Sequence, residues 1–225
     1  STLLSFDLSS AFDTISREEL VSKLSKFMHP RSCTLISSYL EVTNQCVSYN
    51  GTVSDPIALD VGVLQGSILG PLLYTIYTVD LFDVFDEGYA AAYGDNTIGI
   101  ATARNWDENK IKVEDFCNRF LTYAAKAGLA ANPSKTSIVN VFTRKGPESA
   151  QVGDVEVQCE AKAKVLGITF TADSKFRVHN NEVACDMLRR VGIIRSIRRK
   201  MPASILKQLA MALVVGKLSS ACAIT

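Results

Sequence analysis

The chain has 225 residues, of which 47% are hydrophobic and 21% charged, and this length suits one large domain or one domain with an appendage. No apolar stretch approaches the roughly 18 residues that cross a bilayer, so we expect no transmembrane helix and no membrane partner. The six cysteines form no Cys-x-x-Cys pair. This spacing argues against a zinc site and predicts free thiols in a reducing intracellular compartment, cytoplasmic or nuclear.

The net charge of +1 conceals two regions of opposite sign. Residues 1–100 carry four basic and twelve acidic side chains, a net charge of −8, whereas residues 101–225 carry a net charge of +9. The last 51 residues account for +8 of this. An acidic half and a basic tail are typical of a protein that gathers cations at one place and binds a polyanion at another. A solvated basic helix without such a partner is the alternative.

In chain order, the apolar patterns predict alternating strands and helices. Residues 3–8 have the pattern of a short buried strand, and a capping box of Ser16 and Glu19 starts a helix that ends near residue 28. Pro30 starts a second helix, and Asn50-Gly51 predicts a hairpin within residues 45–59. The remaining predicted elements are a helix from residue 71 to residue 85, strands at 89–93 and 97–102, a helix at 106–127, strands at 137–143, 152–159 and 165–171, and helices at 178–199 and 202–221. This order predicts an α+β fold in which antiparallel hairpins precede a helical, basic tail.

Two aspartates stand out among the acidic residues of the first half. Asp7 lies near the end of an apolar strand, where an unpaired carboxylate is costly. Asp95 lies in a two-residue turn whose first residue, Gly94, fits type II′ geometry. If the two strands are neighbours, the carboxylates converge without a basic partner, and this arrangement calls for a divalent cation such as Mg²⁺. In nucleotidyl transfer, a pair of such ions stabilises the attacking and the leaving oxygen. The alternatives are that Asp95 is only a turn residue and that Asp7 caps a helix beginning near Ser9.

Five segments resemble, in order and spacing, the polymerase motifs A to E of reverse transcriptases, with the closest likeness to those of non-LTR retrotransposons. The resemblance implies an α+β polymerase palm, in which an antiparallel sheet with a ferredoxin-like or RRM-like core is backed by helices. Residues 1–172 would form this palm with part of the fingers, and residues 173–225 would form a helical, basic thumb start. The five segments are residues 6–14 (FDLSSAFDT), 62–73 (GVLQGSILGPLL), 92–97 (AYGDNT), 128–136 (GLAANPSKT) and 165–168 (VLGI).

The resemblance also implies RNA-directed DNA polymerase activity, with an RNA template, a DNA primer, dNTP substrates and Mg²⁺, or Mn²⁺ in its place. Asp7 and Asp95 would bind the metal and, with Asn96, form the catalytic centre. Phe12 would lie under the sugar of the incoming nucleotide and exclude a 2′-hydroxyl. The other implied residues are Leu8 (through its carbonyl), Gln65, Gly66 and Lys135 for the nucleotide, Leu166 and Gly167 for the primer grip, and Arg189, Arg190, Arg195, Arg198, Arg199 and Lys200 for the nucleic-acid backbone.

Three features depart from the family's pattern. Asn96 replaces the second of two consecutive aspartates, which removes a negative charge beside the metals. Leu64 replaces the proline that precedes Gln-Gly, which frees a backbone φ angle. The chain also begins just before the first catalytic aspartate, so we expect the fingers, and an endonuclease in the same polyprotein, to precede it.

These departures leave alternatives open. A catalytically degenerate nucleic-acid-binding relic or domesticated module would keep the fold and the basic tail. An RNA-dependent RNA polymerase would fit the Gly94-Asp95-Asn96 tip but conflicts with Phe12, since that ring leaves no room for a ribose. At single positions, an ordinary core phenylalanine at residue 12 and a surface lysine at residue 135 are the structural alternatives.

Overall fold

The computed structural model describes residues 1–41, 43–85, 89–141, 146–173 and 175–222. The chain divides into two compact units, Ser1–Glu160 and Ala161–Thr225. Within the described residues, no helix combines the length and the apolar character that crossing a membrane requires.

The first unit contains strands, α-helices and two 3₁₀ segments. The predicted strand at residues 3–8, the helix that starts at Pro30 and the helix at residues 106–127 all form. The elements in chain order are β1 (Thr2–Ser9), α1 (Arg17–Leu24), α2 (Pro30–Glu41), β2 (Asn44–Gln45), β3 (Ser48–Tyr49), β4 (Thr52–Val53), β5 (Ile57–Ala58), α3 (Gly70–Tyr77), a 3₁₀ segment (Val79–Val84), β6 (Tyr89–Tyr93), β7 (Asn96–Ala101), α4 (Trp106–Lys126), β8 (Ala130–Ala131), a second 3₁₀ segment (Pro133–Lys135), β9 (Ser137–Asn140), β10 (Ser149–Val152) and β11 (Val155–Gln158).

The central strand of the first unit is β1. It pairs antiparallel with β7 on one side, and on the other side with β9 along its first half and with β8 at its end. Strand β6 forms the edge beyond β7. The apolar residues of β1 alternate with polar ones toward its end, as expected for a strand with one face buried.

The buried face of the sheet packs on α4. Phe6 stacks on Phe120 with ring centroids 4.2 Å apart, and on Phe116 at 5.9 Å. Gly99, in β7, has no space for a side chain, because an added Cβ would lie 2.2 Å from the Cζ atom of Phe116. Since successive strand residues point to opposite faces, Asp7 lies on the face directed away from α4. Helix α4 therefore packs on one face of β1, and the Asp7 carboxylate lies on the opposite face.

Several predicted boundaries were wrong. The predicted helix of residues 71–85 ends at Tyr77 and continues as a 3₁₀ segment, and α1 ends at Leu24 rather than near residue 28. The predicted strand 152–159 is instead a hairpin of β10 and β11, because Gly153 takes a positive φ of 61° and turns the chain. Strand β9 ends at Asn140, and residues 142–143 of its predicted extension lie outside the described residues.

The second unit is a hairpin followed by helices. Strands β12 (Lys162–Val165) and β13 (Ile168–Thr171) form the hairpin, so the predicted single strand at residues 165–171 is also corrected. Helix α5 (Arg177–Ile197) packs on β13, and its buried His179 accepts a hydrogen bond at Nδ1 from the Thr169 amide. Helix α6 (Ala203–Ala210), a π-helical segment (Met211–Val215) and α7 (Gly216–Cys222) complete the unit.

Candidate active site

The proposed catalytic residues lie where β1 ends and β7 begins. The antiparallel register pairs Asp7 directly with Asn96 and Phe6 with Thr97. Directly opposed residues of an antiparallel pair share one face, with Cβ atoms about 5 Å apart. Asp7 and Asn96 are therefore side-by-side on the face away from α4. Strand β1 continues through Ser9, so Asp7 is a strand residue and not the cap of a helix beginning near Ser9.

Asp95 is joined to this pair through Asn96. Gly94 and Asp95 form the two-residue turn between β6 and β7, and of the two only Gly94 has a positive φ, 58°, as type II′ geometry requires. The Asn96 side-chain amide donates a hydrogen bond of 3.1 Å to Oδ1 of Asp95. The three side chains therefore form a row along one edge of the sheet, each partly exposed to solvent.

Lys135 also reaches this row. Its Nζ lies 3.0 Å from Oδ2 of Asp7, because the pairing of β8 with the end of β1 brings the following 3₁₀ segment beside the strand. The expectation that the carboxylates lack a basic partner was wrong for Asp7. Since the Lys135 side chain is 52% exposed and that of Asp7 35% exposed, solvent screening makes this pair worth little, about 0–1 kcal/mol.

The donor set suits a hard divalent cation. Two carboxylates and a nearby amide oxygen are oxygen ligands, and Mg²⁺ is usually bound by one or two carboxylates plus water and substrate phosphates. The described residues bring no cluster of three or more His, Cys, Asp and Glu side chains together.

Phe12 lies beside the same site, against a residue that sequence reasoning missed. Its ring contacts Tyr74 of α3 with centroids 4.8 Å apart and planes inclined by 32°, and it is half-buried. Burial raises the pKa of the Tyr74 hydroxyl well above its usual value, and the negative charge of Asp95 raises it further. Tyr74 thus contacts the ring of Phe12 and lies within the electrostatic influence of Asp95 in the β6–β7 turn. The signal for it was the helical spacing that buries Leu73, Tyr74 and Tyr77 in α3.

Gln65 and Gly66 lie in the loop before α3. The Gln65 side-chain amide lies 3.1 Å from both carboxylate oxygens of Asp13. Gly66 has a φ of +79°, and an added Cβ would have open space, so its conformation and not a close approach accounts for glycine here. Leu8, whose carbonyl was a candidate ligand, follows Asp7 in β1 and pairs with Ala131.

The residues implied for nucleic acid lie in the second unit. Leu166 and Gly167 form the turn between β12 and β13, with φ values of +49° and +83°. Arg190 differs from the other candidates, because its guanidinium is paired with Asp186 at 2.9 Å and donates to the Leu213 carbonyl. The exposed candidates of α5 and the turn after it are Arg189, Arg195, Arg198, Arg199 and Lys200.

The antiparallel sheet, backed by helices and with acidic side chains where β1 ends and β7 begins, is consistent with the α+β fold of a polymerase palm. Two solved structures share this fold. The telomerase of Candida tropicalis in complex with a TWJ fragment of telomeric RNA superposes with a TM-score of 0.53 at 14% identity, over 78% of this chain and 29% of that one. The apo telomerase of the same organism gives 0.50 at 15% identity, over 77% and 32%.

The family described as reverse transcriptase (RNA-dependent DNA polymerase) matches residues 1–170, and the chain belongs to it. Two relatives from Drosophila melanogaster are a probable RNA-directed DNA polymerase from transposon BS, 30% identical over 77% of the chain, and another from transposon X-element, 27% identical over 80%. The RNA-directed DNA polymerase from mobile element jockey is 25% identical over 77% of the chain. These relatives place the chain with the non-LTR type. The chain spans about one fifth of the length of each of them.

Proposed function

We propose that the chain is the palm and thumb start of an RNA-directed DNA polymerase, which adds dNTPs to the 3′ end of a DNA primer on an RNA template. The observation that carries the proposal is the register of β1 and β7, which sets Asp7 beside Asn96 and, through it, Asp95. Residues 1–172 would supply the palm with part of the fingers, and residues 173–225 the start of a thumb. The rest of the fingers would come from a longer protein.

Different residues of the chain would bind the metal ion, the triphosphate and the sugar of the incoming nucleotide. Asp7 and Asp95 would bind Mg²⁺ or Mn²⁺, which when bound stabilises the attacking and leaving oxygens of an in-line displacement. The carbonyl of Leu8 would add a further ligand. Lys135 would exchange its contact with Asp7 for the triphosphate, where a cation stabilises charge on the leaving pyrophosphate. Phe12 would lie under the sugar, and Gln65 with Gly66 would border the nucleotide.

In the second unit, the roles would be to position the nucleic acid. Leu166 and Gly167 would form a primer grip, since both already take the backbone conformation of a tight turn. The exposed arginines of α5 would contact phosphates without reading sequence.

The direct test is primer extension. The chain, and the same chain extended at its N-terminus, would be incubated with oligo(dT) on poly(rA), dTTP and either Mg²⁺ or Mn²⁺. We expect incorporation that EDTA stops. If neither protein incorporates dTTP while both are folded and bind the template, the polymerase proposal is wrong and a binding module remains.

The substitution Asn96→Asp is expected to tighten Mn²⁺ binding about tenfold, because it adds a carboxylate to a site with few ligands. The same change removes the amide hydrogen bond to Asp95 and sets two negative charges side by side. The metal-free protein should therefore melt at a lower temperature, and Mn²⁺ should more than restore the loss. Calorimetric titration and thermal melting would measure both effects, with Asn96→Ala as the control that removes the hydrogen bond without adding charge. Equal Mn²⁺ affinity for all three proteins would show that residue 96 lies outside the metal site.

Arg195→Gln is expected to lower the salt dependence of RNA binding, whereas Arg190→Gln is expected to leave it nearly unchanged. Each phosphate contact to a single strand contributes about 0.7 to the slope of log K against log salt. Arg195 is exposed, but the guanidinium of Arg190 is held by Asp186 and by the Leu213 carbonyl. Fluorescence anisotropy from 50 mM to 200 mM salt (about the range over which the effect is large) would measure the slopes. Neutralising Arg195, Arg198 and Arg199 together should lower the slope by about 2. An unchanged slope would contradict the proposed contacts of these arginines with phosphates.

A further inference from the structure

Arg17 donates hydrogen bonds to four backbone carbonyls that lie far from it in sequence. It is the first residue of α1, held there by the Ser16 side chain, which caps the helix. The acceptors are the carbonyls of Gly62 (3.0 Å), Leu40 (2.7 Å), Val61 (3.3 Å) and Leu59. Among the described residues, none of its hydrogen bonds goes to a carboxylate. A guanidinium has five N–H donors in a fixed planar fork, so this one side chain binds three residues of a single loop at once.

That loop has no regular secondary structure of its own. It runs from the end of β5 to the start of α3 and contains no helix or strand. It also contains no proline between residues 59 and 70, so no backbone φ is fixed by a ring. Gly62 takes a φ of +82°, and an added Cβ would lie 2.9 Å from the Asp13 carbonyl oxygen. The loop therefore passes very close to the segment that follows β1, in a conformation that a side chain at residue 62 would disturb.

The loop touches that segment at three points. The Gly62 amide donates to the Ile15 carbonyl and the Val63 amide donates to the Phe12 carbonyl, both at 2.8 Å. The third point is the Gln65 amide on the carboxylate of Asp13. The backbone of Phe12 and the side chain of Gln65 are thus held at a set distance from each other. Arg17, Asp13 and Gln65 also line one cleft of about 630 Å³.

We infer that Arg17 is a positioning residue for the nucleotide site: its guanidinium sets the spacing between the loop that carries Gln65 and the segment that carries Phe12. The expected effect on nucleotide selection rests on the proposed function, whereas the effect on the position of the loop does not. When the guanidinium is lost, four carbonyls lose a donor and the loop can move away from residues 12–15. The sugar of the incoming nucleotide would then be less tightly enclosed.

The first measurement is hydrogen exchange at single amides by NMR, without nucleotide or metal. In Arg17→Gln, the amides of Gly62 and Val63 are expected to exchange about tenfold faster, the effect of losing one or two net hydrogen bonds. The amides of β1 and α4 should exchange at the original rate. Arg31→Gln, which removes an exposed arginine from α2, is the matched control and should change neither set.

The second measurement uses two further variants. Arg17→Lys keeps the charge but not the fork, so we expect partial loss of protection at the same two amides. Gly62→Ala keeps Arg17 and displaces the loop by steric contact, so it should reproduce the effect of Arg17→Gln. In an active protein, all three variants should raise KM for dTTP more than they lower kcat, and should lower the preference for dTTP over UTP about tenfold.

The outcomes separate the two proposals. If the protein shows no primer extension but the loop amides lose protection in Arg17→Gln, the positioning role stands and the polymerase proposal fails. If those amides keep their protection in Arg17→Gln and in Arg17→Lys, the positioning role is wrong whatever the activity. If Arg17→Gln unfolds, Arg17→Lys decides by the same measurement, and Gly62→Ala shows the exchange rates of a displaced loop for comparison.

Discussion

Replacing Asp7 with alanine is expected to lower primer extension by at least about a thousandfold, because the cation that it binds supplies several kcal/mol of charge stabilisation to the transition state. Asp7 stands at the centre of the proposed site: Asn96 lies opposite it in β7, and the Nζ of Lys135 is 3.0 Å away. Single-turnover extension of a labelled primer, with saturating dTTP and Mg²⁺, would measure the loss.

Stability and binding separate this effect from a general defect. The Asp7–Lys135 pair is partly exposed, so its loss should change the melting temperature little. Binding of RNA should persist, because the arginines proposed to grip phosphates lie in the other compact unit. Asp55→Ala, which removes an exposed carboxylate between β4 and β5, is the control and should keep full activity. Extension by Asp7→Ala at a rate near that of Asp55→Ala would refute the metal assignment.

Replacing Phe12 with alanine is expected to raise incorporation of UTP relative to dTTP by about a hundredfold, a magnitude typical of an apolar contact that is removed from a specificity pocket. The ring is half-buried against Tyr74, which is itself buried and lies within the field of Asp95. Its support by Tyr74 means that the ring cannot retreat from an added 2′-hydroxyl. Competition between UTP and dTTP in one reaction would give the ratio directly.

The ratio of UTP to dTTP incorporation does not depend on the amount of folded protein. Destabilisation of the variant by the loss of a packed ring therefore does not change this ratio. Phe12→Tyr, which keeps the bulk of the ring, should retain the preference for dTTP. A preference that is the same in Phe12→Ala and Phe12→Tyr would mean that Phe12 is an ordinary core residue.

The parts of the site that could be predicted from sequence depend on local signals. The apolar run before Asp7 and the Gly94-Asp95 turn indicated β1 and the β6–β7 hairpin, because strand alternation and turn chemistry act over a few residues. The Asn50-Gly51 turn was predictable for the same reason, and both residues have positive φ. The resemblance to reverse transcriptases then indicated which of the local features belong to one site.

The contacts that could not be predicted join residues distant in the chain. The approach of Lys135 to Asp7 follows from the pairing of Leu8 with Ala131, and register between distant strands is not encoded in either strand alone. Arg17 gave no signal at all, since the first residue of a capped helix is usually exposed and its acceptors are backbone carbonyls, which every sequence has. The hairpin of β10 and β11 was missed because Gly153 was treated as a strand residue, although a glycine within a strand pattern indicates a turn or a bulge.

The central position of β1 has a consequence for the order in which the protein folds. Every strand that pairs with β1 comes later in the chain: β7 begins at residue 96, and β8 and β9 lie within residues 130–140. During synthesis β1 therefore emerges before its sheet partners: β7 follows α3, and β8 and β9 follow only after α4. Contacts of such long sequence separation form slowly. A nascent chain that has only reached Asp95 therefore contains both carboxylates before β7, the strand that sets Asp7 beside Asn96, has been made.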